Sequence, residues 1–296
     1  MSLAPSTQVS YGRHLKRVEK KLGALTVREI EACDVVALIE GVGLTWGESN
    51  MLLITAFTHA CGKRLINANP CHGIMLSALL GERPLNPNSA LAPDADARGA
   101  EAAAGRAHAP PELDDSALAI RIVLATAVRS AELYLAKWAD VDLEGSQWHI
   151  PKSKTGATMD IPLAPVVADW FRELRMLAGS SAYVLPAHSR SRAARHGGDT
   201  HLNKDTLREA IAHWLRTATP AVRRFTPHDL RSTVKSRLRA LGVPRDISEV
   251  CVNHKLSGVE GIYDRHTYFG ERREALRKWA GVLRAIEATS SEVHTE

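Results

Sequence analysis

His228 and Arg231 stand three residues apart in TPHDLR, directly after Pro227, so both side chains leave one side of a helix at its first turn. Helix N-termini favour anions. Unpaired amides and partial positive charge, joined by an imidazole and a guanidinium, make a seat for a phosphate diester. His254 follows the apolar Ile247, Val250 and Val252, and Tyr263 lies nine residues beyond it. One arginine, two histidines and a tyrosine form a set suited to phosphoryl transfer. Singly, each has a plainer reading: an HxxR pair is common on helices, a lone His is usually a satisfied surface or core residue, and Tyr263 after Ile262 can be packing.

Two upstream stretches extend the set. In LATAVRSAELYLAKWADVDL, Arg129 and Glu132 are three apart in a helical pattern whose apolar face includes Leu124, Val128, Leu133 and Leu135. A buried Arg needs a partner for its fork, and Glu132 can hold it while the remaining N–H groups point at a phosphate. The plain alternative is a surface ion pair worth about 0.3 kcal/mol. In SQWHIPKSKTGATMDIPLAP, Trp148 and Ile150 and then Met159, Ile161 and Leu163 alternate on either side of Lys154-Thr155-Gly156. This pattern predicts a β-hairpin with Lys154 near its tip, where a lysine is ordinarily just solvated.

With these residues assembled, the chain resembles the tyrosine recombinases, the phage and genomic-island integrase family related in chemistry to type IB topoisomerases. The family's first arginine, followed by an acidic residue three on, matches Arg129 and Glu132 in AVRSAEL. Its hairpin lysine, eight residues before the proline of a VPL-like strand, matches Lys154 relative to Pro162. Its HxxR matches His228 and Arg231, its second histidine matches His254 in VNHK, and its nucleophile matches Tyr263 in GIYDR. All six positions are filled in order. Two departures concern local backbone fit rather than chemistry: AVR stands where the family usually has GxR, and VNH where LGH is commoner.

The resemblance implies roles that chemical need makes intelligible. A phenol titrates near pH ~10, so Tyr263 needs a base and a charge-neutralised phosphate before it can attack. Arg129 and Arg231 would clamp the two non-bridging oxygens, His228 would be the base, and His254 would hydrogen-bond the same phosphate. Lys154 would protonate the leaving 5′ oxygen. The product would be a 3′-phosphotyrosyl link and a free 5′ hydroxyl, with rejoining to another strand needing neither metal nor ATP. Tyr268 is a rival nucleophile five residues on; the spacing from His254 favours Tyr263.

The implied fold is mainly α with a small antiparallel β-sheet: an N-terminal four-helix core-binding domain and a catalytic domain. The chain of 296 residues, 45% hydrophobic and 24% charged, fits a two-domain globular protein. Residues 1–80 read as the helical DNA-binding unit. A basic first helix runs from Ser10 to Leu22, Asp34 is an N-cap for VVALIEG, and a helix from Glu48 to Lys63 turns Leu52, Leu53, Ala56 and Phe57 inward. GKRLINANP is close to the family's closing phrase for this domain. Residues 81–111 shift to Pro, Ala, Gly and Asp without apolar period and read as a linker. Residues 112–296 form the catalytic domain, with a helix from Val166 to Met176, a strand-like AYVLP, a loop HSRSRAARHGGDTH and a helix from Lys204 to Leu215. Apolar positions Ala275, Leu276, Trp279, Val282, Leu283 and Ile286 give the tail from Gly270 to Ala288 one helical stripe, which must dock either on its own catalytic domain or, as the family resemblance implies, on a neighbouring protomer.

A net charge of +5 favours a polyanionic partner. Arg13, Lys16 and Arg17, then Lys63 and Arg64, and Arg190, Arg192 and Arg195 are the candidate DNA contacts, each with a solvated face as its plain reading. The expected partner is double-stranded DNA, bound as a homotetramer on synapsed sites and served by an excision or accessory factor. Cys33, Cys61, Cys71 and Cys251 lack metal-finger spacing, and no signal peptide or long apolar run occurs, so a cytoplasmic, nucleoid-associated protein without membrane, metal or cofactor is expected. No sizeable segment precedes Ser10, so no lambda-like arm-binding domain is expected, and the tail resembles genomic-island integrases. Two competing classes are a metal-dependent nuclease built on His228, Asp229, His254, Asp264 and His266, and an inactive DNA-binding relative or excision-control protein. The first lacks a helical ligand spacing such as HExxH. The second has the complete hexad against it.

Overall fold

A computed structural model describes residues 5–42, 46–75, 79, 115–153, 158–217, 224–254 and 266–292. By backbone proximity the chain divides into two compact units, Met1–Ser89 and Ala90–Glu296.

In the first unit, α1 (Pro5–Leu22), α2 (Ala32–Val42) and α3 (Trp46–Gly62) bury Leu22, Val35, Leu38, Ile39, Leu53 and Phe57 in one cluster with Cys71. The expected fourth helix lies outside the described residues. Asp34 does not precede α2 but lies in its first turn, where its Oδ2 accepts the Glu31 N–H at 2.9 Å. A carboxylate there reaches back to an amide that has no helical partner, so it caps in the reverse sense. Ala56 is exposed, unlike Leu53 and Phe57 on the same helix. The closing phrase is tied down by buried Asn69, whose Nδ2 donates to Ile54 O at 3.1 Å and Thr58 Oγ1 at 3.0 Å while its Oδ1 accepts from Cys71 N–H at 2.9 Å.

The second unit is built on α4 (Asp115–Thr126), which is buried along nearly its whole length, as a helix apolar on all sides must be. The chain then breaks at Ala127 and resumes in the single turn α5 (Ser130–Tyr134). A short antiparallel sheet follows, β1 (Val141–Asp142), β2 (Gln147–Ile150) and β3 (Met159–Pro162), with Trp148 opposite Ile161 and both fully buried. Alternation places Trp148 and Ile150 on the core side, where Trp148 meets Phe171 of α6 (Pro165–Ala178) edge-on at 5.7 Å. AYVLP forms no strand; it makes only isolated bridges, Lys137 to Tyr183 and Pro186 to His201. The expected arginine-rich loop contains a short helix, α7 (Arg190–Arg195), with Ser189 Oγ at its N-cap accepting from the Arg192 N–H. Next come α8 (Thr206–Thr217), α9 (Pro227–Ala240), α10 (Arg245–Cys251) and α11 (Phe269–Glu292).

The C-terminal stripe does not await a neighbouring protomer. Ala275, Leu276, Trp279, Ala280 and Leu283 of α11 are all buried in the core of their own unit, against α4, α6, α9, α10 and β3. Trp279 Nε1–H donates to the Leu124 carbonyl at 2.8 Å, so the one polar atom of the largest side chain in the stripe has its partner inside the same chain.

Candidate active site

Arg129 was expected within a continuous helix; it stands instead at the break between α4 and α5, with extended backbone at φ −73 and ψ 143. Thr126 Oγ1 donates back to Ile122 O at 2.6 Å and Ala127 enters the left-handed region at φ 55, which ends α4. The break re-aims the chain. Leu133 is fully buried but Leu135, expected on the same apolar face, is 58% exposed. Glu132 performs two tasks: its Oε2 accepts the Arg129 backbone N–H at 2.7 Å and its Oε1 accepts from Arg129 Nη1 at 3.1 Å. Arg129 Nη2 donates to Asn253 O at 3.3 Å, 124 residues away in sequence.

Arg231 reaches the same seam from the other side. Thr226 N-caps α9, with Asp229 Oδ2 accepting its N–H at 2.7 Å, and Pro227 occupies the first helical position, where no N–H is needed. This fixes the phase of the helix so that Arg231 points inward while His228 stays exposed on the first turn. The buried Arg231 donates from Nη1 to Ala127 O and from Nη2 to Val252 O. Burial and then the neighbouring charge of Arg129 push its pKa down to about 10, with Glu132 acting the other way; the guanidinium therefore stays charged at neutral pH. Two arginines are thus held by carbonyls 127, 252 and 253, immediately beside His254. A fixed pair of forks with unspent N–H donors is suited to an anion with two equivalent oxygens.

The site has an unusual backbone. Ala127 and Asn253 are both left-handed without being glycine, at φ 55 and φ 49. These are the two positions where the sequence departs from the glycines of GxR and LGH, and both supply carbonyls to the arginines. Asn tolerates this conformation better than Ala, yet its Nδ2 is buried with no hydrogen-bond partner among the described residues. Asn253→Gly is therefore expected to stabilise the protein by about 1 kcal/mol. An unpaired buried donor costs about 1–3 kcal/mol, and glycine's extra unfolded-state entropy returns part of that. A chemical denaturation midpoint that falls on this substitution would show that the side chain is paired.

Lys154 and Tyr263 lie outside the described residues; the strands flanking Lys154 end at Ile150 and resume at Met159. Tyr268 sits at the entrance to α11 with φ 50, its carbonyl accepting from the Arg272 N–H at 2.9 Å and its ring edge-on to His266 at 4.6 Å. Sequence reasoning passed over Arg272 itself. It is buried and donates from Nη2 to Asp160 O at 2.8 Å, tying α11 to β3 of the hairpin, with burial pushing its pKa down against the opposing influence of Cys251 and Asp160. A basic residue inside an otherwise apolar stripe was its only signal.

Of the candidate DNA contacts, Arg13, Lys16, Arg17, Lys63, Arg64, Arg190 and Arg195 are exposed and Arg192 is half-buried. Arg192 Nε is spent on His201 O at 2.9 Å and Arg195 Nε on Ser191 O at 3.2 Å, so both have a structural task besides any role on DNA. Among the described residues, no three His, Cys, Asp or Glu side chains gather as a metal site, and no helix is long and apolar enough to cross a membrane.

The model of the phage integrase family matches residues 103–268, more than half of the chain and the whole span from Arg129 to Tyr263. The chain belongs to that family. It is 25% identical over 170 residues to the prophage integrase IntA of Escherichia coli K12, covering 56% of this chain and 38% of that protein. It spans about two fifths of the length of the curated relatives it matches, at 38% and 40%. Its fold is similar to that of the Tn1549 transposon integrase (residues 82–397) in complex with circular intermediate DNA, with a TM-score of 0.69, 18% identity, and coverage of 92% of this chain and 94% of the other. It is also similar to a lambda integrase tetramer bound to a Holliday junction, with a TM-score of 0.61, 16% identity, and coverage of 90% and 73%. These likenesses establish that this integrase-family chain is mainly helical with a small antiparallel sheet.

Proposed function

We propose that this protein is a site-specific DNA recombinase that cleaves and rejoins strands through a 3′-phosphotyrosyl intermediate. The observation that carries the reading is the pair of arginines, 129 and 231, fixed by backbone carbonyls on either side of one seam and adjoining His254. Arg129 and Arg231 bind the two non-bridging oxygens of the scissile phosphate, and their charge offsets the charge that builds on it during attack. The burial of Arg231, the partial burial of Arg129 and the prior hydrogen bonds of both mean that little reorganisation is needed at that moment. His228, exposed on the first turn of α9, takes the phenolic proton of Tyr263, and His254 hydrogen-bonds the phosphate. The Tyr263 oxygen bonds to phosphorus, the bond from phosphorus to the 5′ oxygen breaks, and Lys154 gives that oxygen its proton. Attack by another strand's 5′ hydroxyl reverses the sequence and conserves the phosphodiester energy.

On this reading residues 1–80 grip one face of the duplex, 81–111 link, and 112–296 carry the chemistry, with four protomers on synapsed DNA and an accessory factor directing excision. The protein would work in the cytoplasm at the nucleoid. The test is incubation, with and without a chelator, with nicked suicide substrates spanning the chromosomal junctions that flank the coding region, followed by denaturing gels. A protein-linked DNA species that persists in chelator is expected. Cleavage that needs a divalent ion and leaves no protein on the DNA would overturn the reading in favour of a metal-dependent nuclease.

A further inference from the structure

Two charged residues outside the six family positions, Lys235 of α9 and Glu249 of α10, form a chain that ends on His254. Lys235 Nζ lies 2.6 Å from Glu249 Oε1, and Glu249 Oε2 lies 2.8 Å from Nδ1 of His254. The His254 backbone N–H also donates to Glu249 O at 3.0 Å, which closes the turn that ends α10 and fixes where the ring begins. The Glu249 side chain is only 18% exposed, and Lys235 and His254 flank it at 31% and 46%. Burial acts to raise the Glu249 pKa, but hydrogen bonds from Lys235 and His254 more than reverse this and hold the carboxyl below its usual range. An ionised carboxylate only accepts, so the short contact at Nδ1 places a proton on that nitrogen. Nε2 is then the ring atom left for an outside partner. This is how a carboxylate orients an imidazole wherever one ring nitrogen must be aimed.

We propose that Glu249, itself held by Lys235, is a positioning residue that keeps a proton on Nδ1 of His254 and fixes the ring direction so that Nε2 meets the scissile phosphate. The inference rests on the reading of His254 as a phosphate ligand and deepens it. Because Nδ1–H is committed to Glu249, a second bond from Nε2–H to a phosphate oxygen requires both nitrogens protonated, and the adjacent carboxylate supplies the countercharge. No covalent step is added.

The first measurement is long-range ¹H–¹⁵N correlation on the full, histidine-labelled chain. The His254 ring is expected to show a protonated Nδ1 in the wild type and to lose that signature in Glu249→Ala. A wild-type ring bare at Nδ1 would overturn the proposal without recourse to any variant. The second is single-turnover adduct formation on the suicide substrate. Glu249→Ala is expected to slow it by about ten- to a hundredfold, the range seen when a carboxylate that orients a ligating histidine is removed. Glu249→Gln, whose amide oxygen still accepts from Nδ1–H, is expected to recover part of that loss. The double variant with His254→Ala should be no slower than His254→Ala alone, because the two residues act as a unit. Multiplying defects, or a wild-type rate in Glu249→Ala while His254→Ala is slow, would sink the positioning role. A wild-type rate in His254→Ala would instead remove His254 from the phosphate and fault the reading beneath.

Discussion

Tyr263→Phe is expected to abolish the covalent protein–DNA adduct while leaving DNA affinity within about threefold of the wild type, since phosphate contacts by basic side chains dominate affinity for the duplex. The substitution removes one oxygen, the atom that on the proposed mechanism bonds to phosphorus, and keeps the aromatic ring. Tyr268→Phe is the matched control and should form adduct normally. Tyr268 already serves a local purpose, its carbonyl accepting from the Arg272 N–H at 2.9 Å where α11 begins and its ring resting against His266 at 4.6 Å. An adduct that survives in Tyr263→Phe and disappears in Tyr268→Phe would exchange the two assignments.

The largest structural effect is expected at Trp279. It is fully buried at the centre of the α11 stripe, and its Nε1–H donates to the Leu124 carbonyl at 2.8 Å. Trp279→Ala should lower unfolding stability by about 3–5 kcal/mol, the range for removing a buried aromatic side chain, with the Leu124 carbonyl left unpaired as a further cost. Such a loss is a large part of the roughly 5–15 kcal/mol that holds an ordinary domain together. Removing everything after Gly270 takes Ala275, Leu276, Ala280 and Leu283 from the same core as well. The truncated chain is therefore expected to lose the cooperative unfolding transition of its second unit and, with it, any DNA cleavage. A tail working only in trans would leave monomer stability untouched. A fall of less than about 1 kcal/mol in urea titration of Trp279→Ala would be consistent with that arrangement rather than with a core position.

Local patterns were enough for much of this. Periodicity alone located β2 and β3 around Lys154 and most of the helices, because a half-buried strand or helix must repeat its apolar residues at its own period. Element ends were harder. α5 is a single turn behind a left-handed alanine, and nothing in LATAVRSAEL taken as a helical pattern marks the break before Arg129. The replaced glycines of GxR and LGH were the available sign, since a family glycine often records a backbone that other residues enter only at a cost.

By itself the sequence determined the inventory of chemistry: which side chains could neutralise a phosphate, donate or take a proton, or attack, and that Arg231 sits one helical turn from His228. Residue type and short spacing settle such matters because they depend on covalent connection and local periodicity alone. Tertiary structure decided what each of those groups faces. Arg129 meets Asn253 across 124 residues of chain, Arg231 meets Ala127 across 104, and Trp279 meets Leu124 across 155. The acceptors in all three are backbone carbonyls, which every residue carries and no sequence pattern distinguishes. Whether the apolar stripe of α11 closed on its own core or on a neighbour's was undetermined for the same reason: burial of apolar area rewards either partner alike, and only the packed fold shows that α4, α9 and α10 leave a groove in which Trp279 is covered and its N–H is paired.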